Sequence, residues 1–233
     1  MSDGLPIKVV LLGETAVGKS CLIARFINDT FITNHITTMA GSFSSKSVFY
    51  DKANQKLNYE IWDTAGQEKY RAINKMFYQD ASVIILVLDI TRRDTFEAIK
   101  NYWYPELRDN APKDAVYALA ANKCDLYEYE EITDEELKEY AQSINAVYKQ
   151  TSALQNSGIN DLFDYIGYKI LSPDIFEELK KKANSKKQIK IDNESVDENN
   201  IKEAKSNKSE KKKKRLLLKF IYYKILYCVI YFY

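Results

Sequence analysis

The chain has 233 residues, 34 of them Lys or Arg and 33 Asp or Glu, a length that suits one sizeable domain with an appendage. Its net charge of +1 hides an asymmetry: residues 1–175 carry 18 basic and 25 acidic side chains, and residues 176–233 carry 16 and 8, which gives the tail an anionic surface as partner and offers the body no basic face for nucleic acid. The three cysteines, at 21, 124 and 228, show no paired spacing, and Met1 to Pro6 is too short and polar for a leader; both features argue against a secreted disulfide scaffold and for a reducing, cytoplasmic setting.

In chain order, IKVVLL (7–12) reads as a strand buried on both faces, and a helix is expected from Lys19 to Ile27. FSSKSVFY (43–50) and KLNYEIW (56–62) read as two strands joined by the turn DKANQ. SVIILVLDI (82–90) and AVYALAAN (115–122) are further buried strands, with helices at Thr95 to Arg108, Asp134 to Ala146 and Ile159 to Ile170. Thr133, three residues before Glu136, predicts a capping box at the start of the helix from Asp134. Strands alternating with helices make the class α/β, doubly wound, with a mostly parallel sheet and an antiparallel edge. No internal repeat is seen.

Three motifs carry chemistry. GETAVGKS (13–20) follows a strand and opens a helix, the context in which backbone N–H groups and a helix N-terminus converge on phosphate. Gly13, Ala16, Val17, Gly18 and Cys21 frame that site, Lys19 serves the β- and γ-phosphates, and Ser20 serves Mg²⁺. NKCD (122–125) sits at the C-terminal end of a strand, where open α/β sheets place ligands. Asp125 there accepts from N1–H and the exocyclic amine of guanine, but would face an acceptor on adenine; Asn122 and Lys123 belong to the same cluster. WDTAGQE (62–68) closes a strand: Asp63 reaches toward Mg²⁺, Gly66 toward the γ-phosphate, and Gln67 orients an attacking water.

These motifs, with TTMAGSF and TSA (151–153), stand in the order and spacing of the small GTPases of the Ras superfamily over about residues 5–171. WDTAGQEKYRAI, FYQDAS and the aromatic set Phe43, Trp62 and Phe77 resemble the Rab family, with the early-endocytic branch nearest. The resemblance implies a six-stranded GTP/GDP-binding domain over 1–175, Thr38 closing on Mg²⁺, Phe31 against the guanine, and Ser152 and Ala153 approaching the guanine oxygen through their N–H groups. It also implies an exchange factor, an activating protein, and effectors that meet the three aromatics. Position 40 is alanine where glycine is usual, Leu154 replaces a usual lysine, and the turn at Lys52–Gln55 reads as slightly long.

GTP is expected to hold two loops, roughly 32–44 and 64–79, that hydrolysis releases. No arginine lies between Phe31 and Phe43, so intrinsic turnover should be slow, on the order of 10⁻⁴ to 10⁻³ s⁻¹ as in Ras, until a partner supplies one. A P-loop kinase or ATPase, or a module that binds GTP without cleaving it, are the competing readings; Asp125 argues against the first and Gln67 against the second.

Residues 176–215 read as a charged, disordered linker with a basic cluster at Lys211–Arg215, worth about 1 kcal/mol per basic residue at an anionic leaflet. The apolar run 216–233 is interrupted by Lys219 and Lys224 and ends in IYFY, with Cys228 sixth from the end and no prenylation signal of the Rab kind. A natural anchor and translated noncoding sequence both account for its Leu, Ile, Tyr, Phe and Lys bias. Attachment to the cytosolic face of endomembranes, endosomes among them, is expected through the basic linker and a lipidated cysteine.

Overall fold

Alternation decides how the central strands are used. Along β4 (Val83–Asp89), Val83, Ile85 and Val87 face one hydrophobic cluster and Ile84, Leu86 and Leu88 face another, all six fully buried. A strand with apolar side chains on both faces needs cover on both sides, and helices supply it. The computed structural model describes residues 4–31, 38, 41–64, 71–179 and 181. The chain divides into two units, Met1–Glu177 and Glu178–Tyr233, and the architecture below is that of the first.

Six strands lie in the order β2-β3-β1-β4-β5-β6. β1 (Leu5–Leu12) pairs parallel with both β3 (Gln55–Asp63) and β4, and β5 (Val116–Asn122) pairs parallel with β4 and with β6 (Val147–Gln150). β2 (Ser42–Tyr50) is the antiparallel edge, in register with β3 from Ser42 opposite Asp63 to Tyr50 opposite Gln55. The strand carrying Asp63 is therefore an interior one. One face of the sheet is covered by α1 (Lys19–Asn28) and α6 (Ile159–Leu171), through Leu22, Phe26, Leu162, Phe163 and Ile166. The other is covered by Tyr78 of α2 (Arg71–Tyr78), by α3 (Arg93–Ala98) and α4 (Tyr104–Asn110), and by α5 (Asp134–Ser143).

Local differences from the expected elements have identifiable causes. Gln55 belongs to β3, because a single 3₁₀ turn at Asp51–Ala53 and left-handed Asn54 complete the hairpin. The expected helix 95–108 starts at Arg93 and ends at Asn110, and a π-helical stretch at Ile99–Trp103 joins α3 to α4 and buries Ile99 and Trp103. α5 stops at Ser143, ahead of left-handed Asn145. Thr133 caps α5 by accepting from the Glu136 N–H at 3.2 Å, but the Glu136 carboxylate forms a two-pronged pair with Arg93, at 2.9 and 2.7 Å, instead of reaching back to complete the box.

Candidate nucleotide site

The phosphate loop lies between β1 and α1, and two of its glycines are dictated by neighbours. Gly13 has φ 145°, and a Cβ there would stand 2.2 Å from the Val87 carbonyl oxygen; Gly18 has φ 99°, and its Cβ would stand 2.3 Å from Nδ2 of Asn122. Only glycine takes such backbone angles without strain, and only glycine leaves room for those contacts. Asn122, the last residue of β5, uses that space to donate from Nδ2 to the Val17 carbonyl at 2.7 Å, while its Oδ1 accepts from Thr151 at 3.2 Å. The asparagine of NKCD thus pins the phosphate loop to the neighbouring strand end.

Lys19 is 6% exposed, and its ammonium donates to the Gly13 and Glu14 carbonyls at 2.9 and 3.0 Å. Burial lowers its pKa to about 8 against the opposing pull of Asp63 and Glu14, so an arriving polyphosphate would restore the charge that burial disfavours. Beside it, three oxygens converge. Ser20 Oγ is 3.1 Å from Thr38 Oγ1 and hydrogen-bonds Asp63 Oδ2, and Thr38 Oγ1 is 3.4 Å from the same carboxylate oxygen. Among the described residues there is no cluster of three His, Cys, Asp or Glu side chains able to hold a metal. Two hydroxyls and one carboxylate are hard donors that suit Mg²⁺ shared with phosphate oxygens, better than a cage that binds a metal by itself.

At the other end, Asp125 lies in the first turn of a 3₁₀ helix, Cys124–Tyr129, behind left-handed Lys123. Ser152, fully buried, donates its hydroxyl to Asp125 Oδ1 at 2.5 Å and so sets the carboxylate's orientation. Its own N–H goes to the Ser157 carbonyl at 3.0 Å. The Ser152 N–H, expected to approach the base, is thus engaged by Ser157 and its hydroxyl by Asp125, while Ala153 lines the cavity. Lys123 pairs with Asp89 Oδ2 at 2.6 Å, and Asp89 is almost fully buried.

One cavity of about 400 Å³ joins the two ends, lined among others by Ala16, Gly18, Lys19, Ser20, Cys21, Phe31, Thr38, Asn122, Lys123, Asp125 and Ala153. Gly13, Val17, Asp63 and Ser152 stand behind that lining as buried supports. Gly66 and Gln67 lie outside the described residues, as do Ala40 and His35. The aromatic set does come together, with Phe43 and Trp62 5.2 Å apart and Trp62 and Phe77 5.4 Å apart, and Phe43 half exposed at 53%.

Several contributors lie outside the residues expected from the motifs, although Thr64 itself falls inside WDTAGQE (62–68). Thr64 lines the cavity and donates to the Leu11 carbonyl at 2.6 Å. Arg92 donates to the Thr15 carbonyl at 3.0 Å, and Trp103 Nε1 donates to Glu14 Oε1 at 3.1 Å, both from behind the phosphate loop. Asp89 alone had a positional signal, as the last residue of a central strand. Arg92 and Trp103 had none, since their contacts depend on how the segment after β4 packs.

The chain matches the Ras family over residues 8–172. Human Ras-related protein Rab-22A is 44% identical over 168 residues, covering 72% of this chain and 85% of that protein. Mouse Rab-31 is 40% identical over 164 residues, covering 70% and 83%, and bovine Rab-21 is 41% identical over 156 residues, covering 67% and 69%. With the family match and these relatives in agreement, the chain belongs to the Rab proteins of the Ras family, GTPases that bind GTP, hydrolyse it to GDP and act as switches in vesicle traffic.

Proposed function

We propose that GTP lies along the cavity with its phosphates on the loop 13–20 and its guanine at Phe31, Asp125 and Ala153, and that Ser20, Thr38 and Asp63 hold Mg²⁺. The observation that carries this is the convergence of these segments on one cavity, with three hard oxygens at one end and a carboxylate pre-oriented by Ser152 at the other. Mg²⁺, when bound, supplies positive charge against the phosphate oxygens.

The chain's own residues do the rest. Lys19 is kept on the loop by two carbonyls and so needs little rearrangement to donate to phosphate. Asp125 discriminates by the donors it would leave unmet or the acceptor it would oppose. Gln67 is assigned the orientation of the attacking water and Gly66 a bond to the γ-phosphate. Thr38 is assigned the coupling, because its hydroxyl meets Ser20 and Asp63 across the gap between the first switch loop and the site. Loss of the γ-phosphate would then free both switch loops and alter the surface around Phe43, Trp62 and Phe77, on which effectors are expected to dock.

The body, about residues 1–175, is read as the switch, and the basic segment after it as the attachment to the cytosolic face of endomembranes, endosomes among them. No helix among the described residues is long and apolar enough to cross a membrane. The direct test is Mg²⁺-dependent phosphate release from GTP and from ATP by the full chain and by Asp63→Ala. Release from GTP alone, lost in the variant, is the expected result; equal release from ATP would overturn the base assignment, and an unaffected variant the metal assignment.

A further inference from the structure

The base end of the cavity is held by a residue that no motif contains. Arg25, in the last turn of α1, donates from Nε to the Ala153 carbonyl at 2.7 Å, from Nη2 to the Leu154 carbonyl at 3.0 Å and from Nη1 to the Asp29 carbonyl at 2.9 Å. Its guanidinium carbon lies 5.6 Å from the centre of the Phe31 ring. One planar cation therefore joins the end of α1, the loop that carries Ala153, and Phe31. Two of the residues it touches, Ala153 and Phe31, line the cavity beside Asp125.

The loop it grips has few other fixtures. Ser152 and Ser157 exchange backbone hydrogen bonds at 3.0 and 3.1 Å and close its base, Gln155 N–H donates to Ser152 Oγ at 3.0 Å, and Asn156 donates to Asp29 Oδ1 at 2.5 Å. Between those ties, the carbonyls of residues 153 and 154 are oriented by Arg25. Leu154 is itself 55% exposed, with an aliphatic side chain that offers no polar tie. A guanidinium has a fixed fork and a flat face, so it can serve two successive carbonyls and still lie near a ring; an ammonium cannot do all three.

We infer that Arg25 is a positioning residue for base recognition, setting the Ala153 loop and the Phe31 ring against the same base. The inference rests on the guanine placement proposed above. It ties selectivity to release: Phe31 leads directly into the first switch loop, so a partner that displaces Phe31 also withdraws the ring beside Arg25 and loosens the hold on Ala153.

The experiment compares GDP with 2-aminopurine riboside diphosphate, which lacks the 6-oxygen and with it the N1–H, on the full chain. Wild type should hold GDP about a hundredfold more tightly or beyond, because one bond at Ala153 and one at Asp125 are lost together. In Arg25→Gln the ratio should fall about tenfold, with faster GDP release, because the Ala153 loop is no longer aimed while the Asp125 share remains. Arg25→Lys should narrow the ratio as well, and it carries the test should Arg25→Gln fail to fold. Equal weakening of both nucleotides, with the ratio intact, would overturn the inference and leave Arg25 a general structural residue. A wild-type protein that does not distinguish the two nucleotides would instead overturn the guanine placement, and the inference with it.

Discussion

At the phosphate end of the cavity, Gly13, Gly18, Lys19 and Ser20 fall within the eight residues of one strand-to-helix turn. At the base end, Arg25 and Ala153 meet across 128 positions of sequence, and Ser152 and Asp125 across 27. The first end is a local device that a short peptide pattern specifies almost completely. The second exists only because α1, β5 and the loop before α6 end side by side. Damage to the local device should therefore cost binding of any nucleotide, and damage to the assembled one should change which nucleotide is held.

The largest effect is expected at Lys19. Lys19→Ala removes the one buried cation among the described residues, assigned above to the phosphates, and loss of one partner from a buried charge pair, at 2–5 kcal/mol or more, should weaken GTP and GDP roughly 10²- to 10³-fold or beyond. The two losses should be of the same order whichever base is attached, as titration with GTP and xanthosine triphosphate would check. A loss confined to one base would break the division between the two ends.

Asp125→Asn comes next. It replaces two acceptors by an acceptor and a donor, and a mismatched charged bond costs on the order of 1.5–3 kcal/mol, about tenfold to a hundredfold in affinity for GTP. Preference should move toward xanthine nucleotides, and competition binding that still favours GTP would contradict the base assignment. Ser20→Asn is smaller in absolute affinity but informative in sign. An amide is a poorer Mg²⁺ ligand than the hydroxyl that now meets Asp63 and Thr38, so GTP should suffer more than GDP. Matched GTP and GDP affinities would remove Ser20 from the metal site.

The smallest effect sharpens the comparison from behind the phosphate loop. Trp103→Phe keeps most of the buried ring and deletes the bond to Glu14, so urea denaturation should show a loss of about 1 kcal/mol. Base preference should be unchanged, since Trp103 bonds Glu14 beside the phosphate loop and is not among the residues that line the cavity.

The same division governs what could be read in advance. IKVVLL, SVIILVLDI and AVYALAAN announced strands because continuous apolar runs of that length need two covered faces, and all three are central strands. The family resemblance implied six strands, but the four-residue β6 was not placed from its own residues, since VYKQ is too short to show a period and is a strand only because β5 offers it an edge. Thr133 signalled a helix start through local chemistry and does cap one, whereas its partner Glu136 was drawn away by Arg93, 43 residues earlier. Asn122 was legible as part of a nucleotide motif, but not as the tie that makes Gly18 a glycine.

By itself, the sequence determined the chemistry that acts over a few bonds: a phosphate loop that requires glycine angles, a lysine and a serine at its helix start, a carboxylate after a strand, and the apolar runs that make the sheet. The tertiary structure decided which distant groups hold those pieces in place. Arg25 on Ala153, Ser152 on Asp125, Lys123 on Asp89 and Trp103 on Glu14 are contacts between segments whose spacing along the chain carries no signal. Hydrogen bonds are short-ranged and directional, so such partners are fixed only once sheet order and helix packing bring their atoms within about 3 Å.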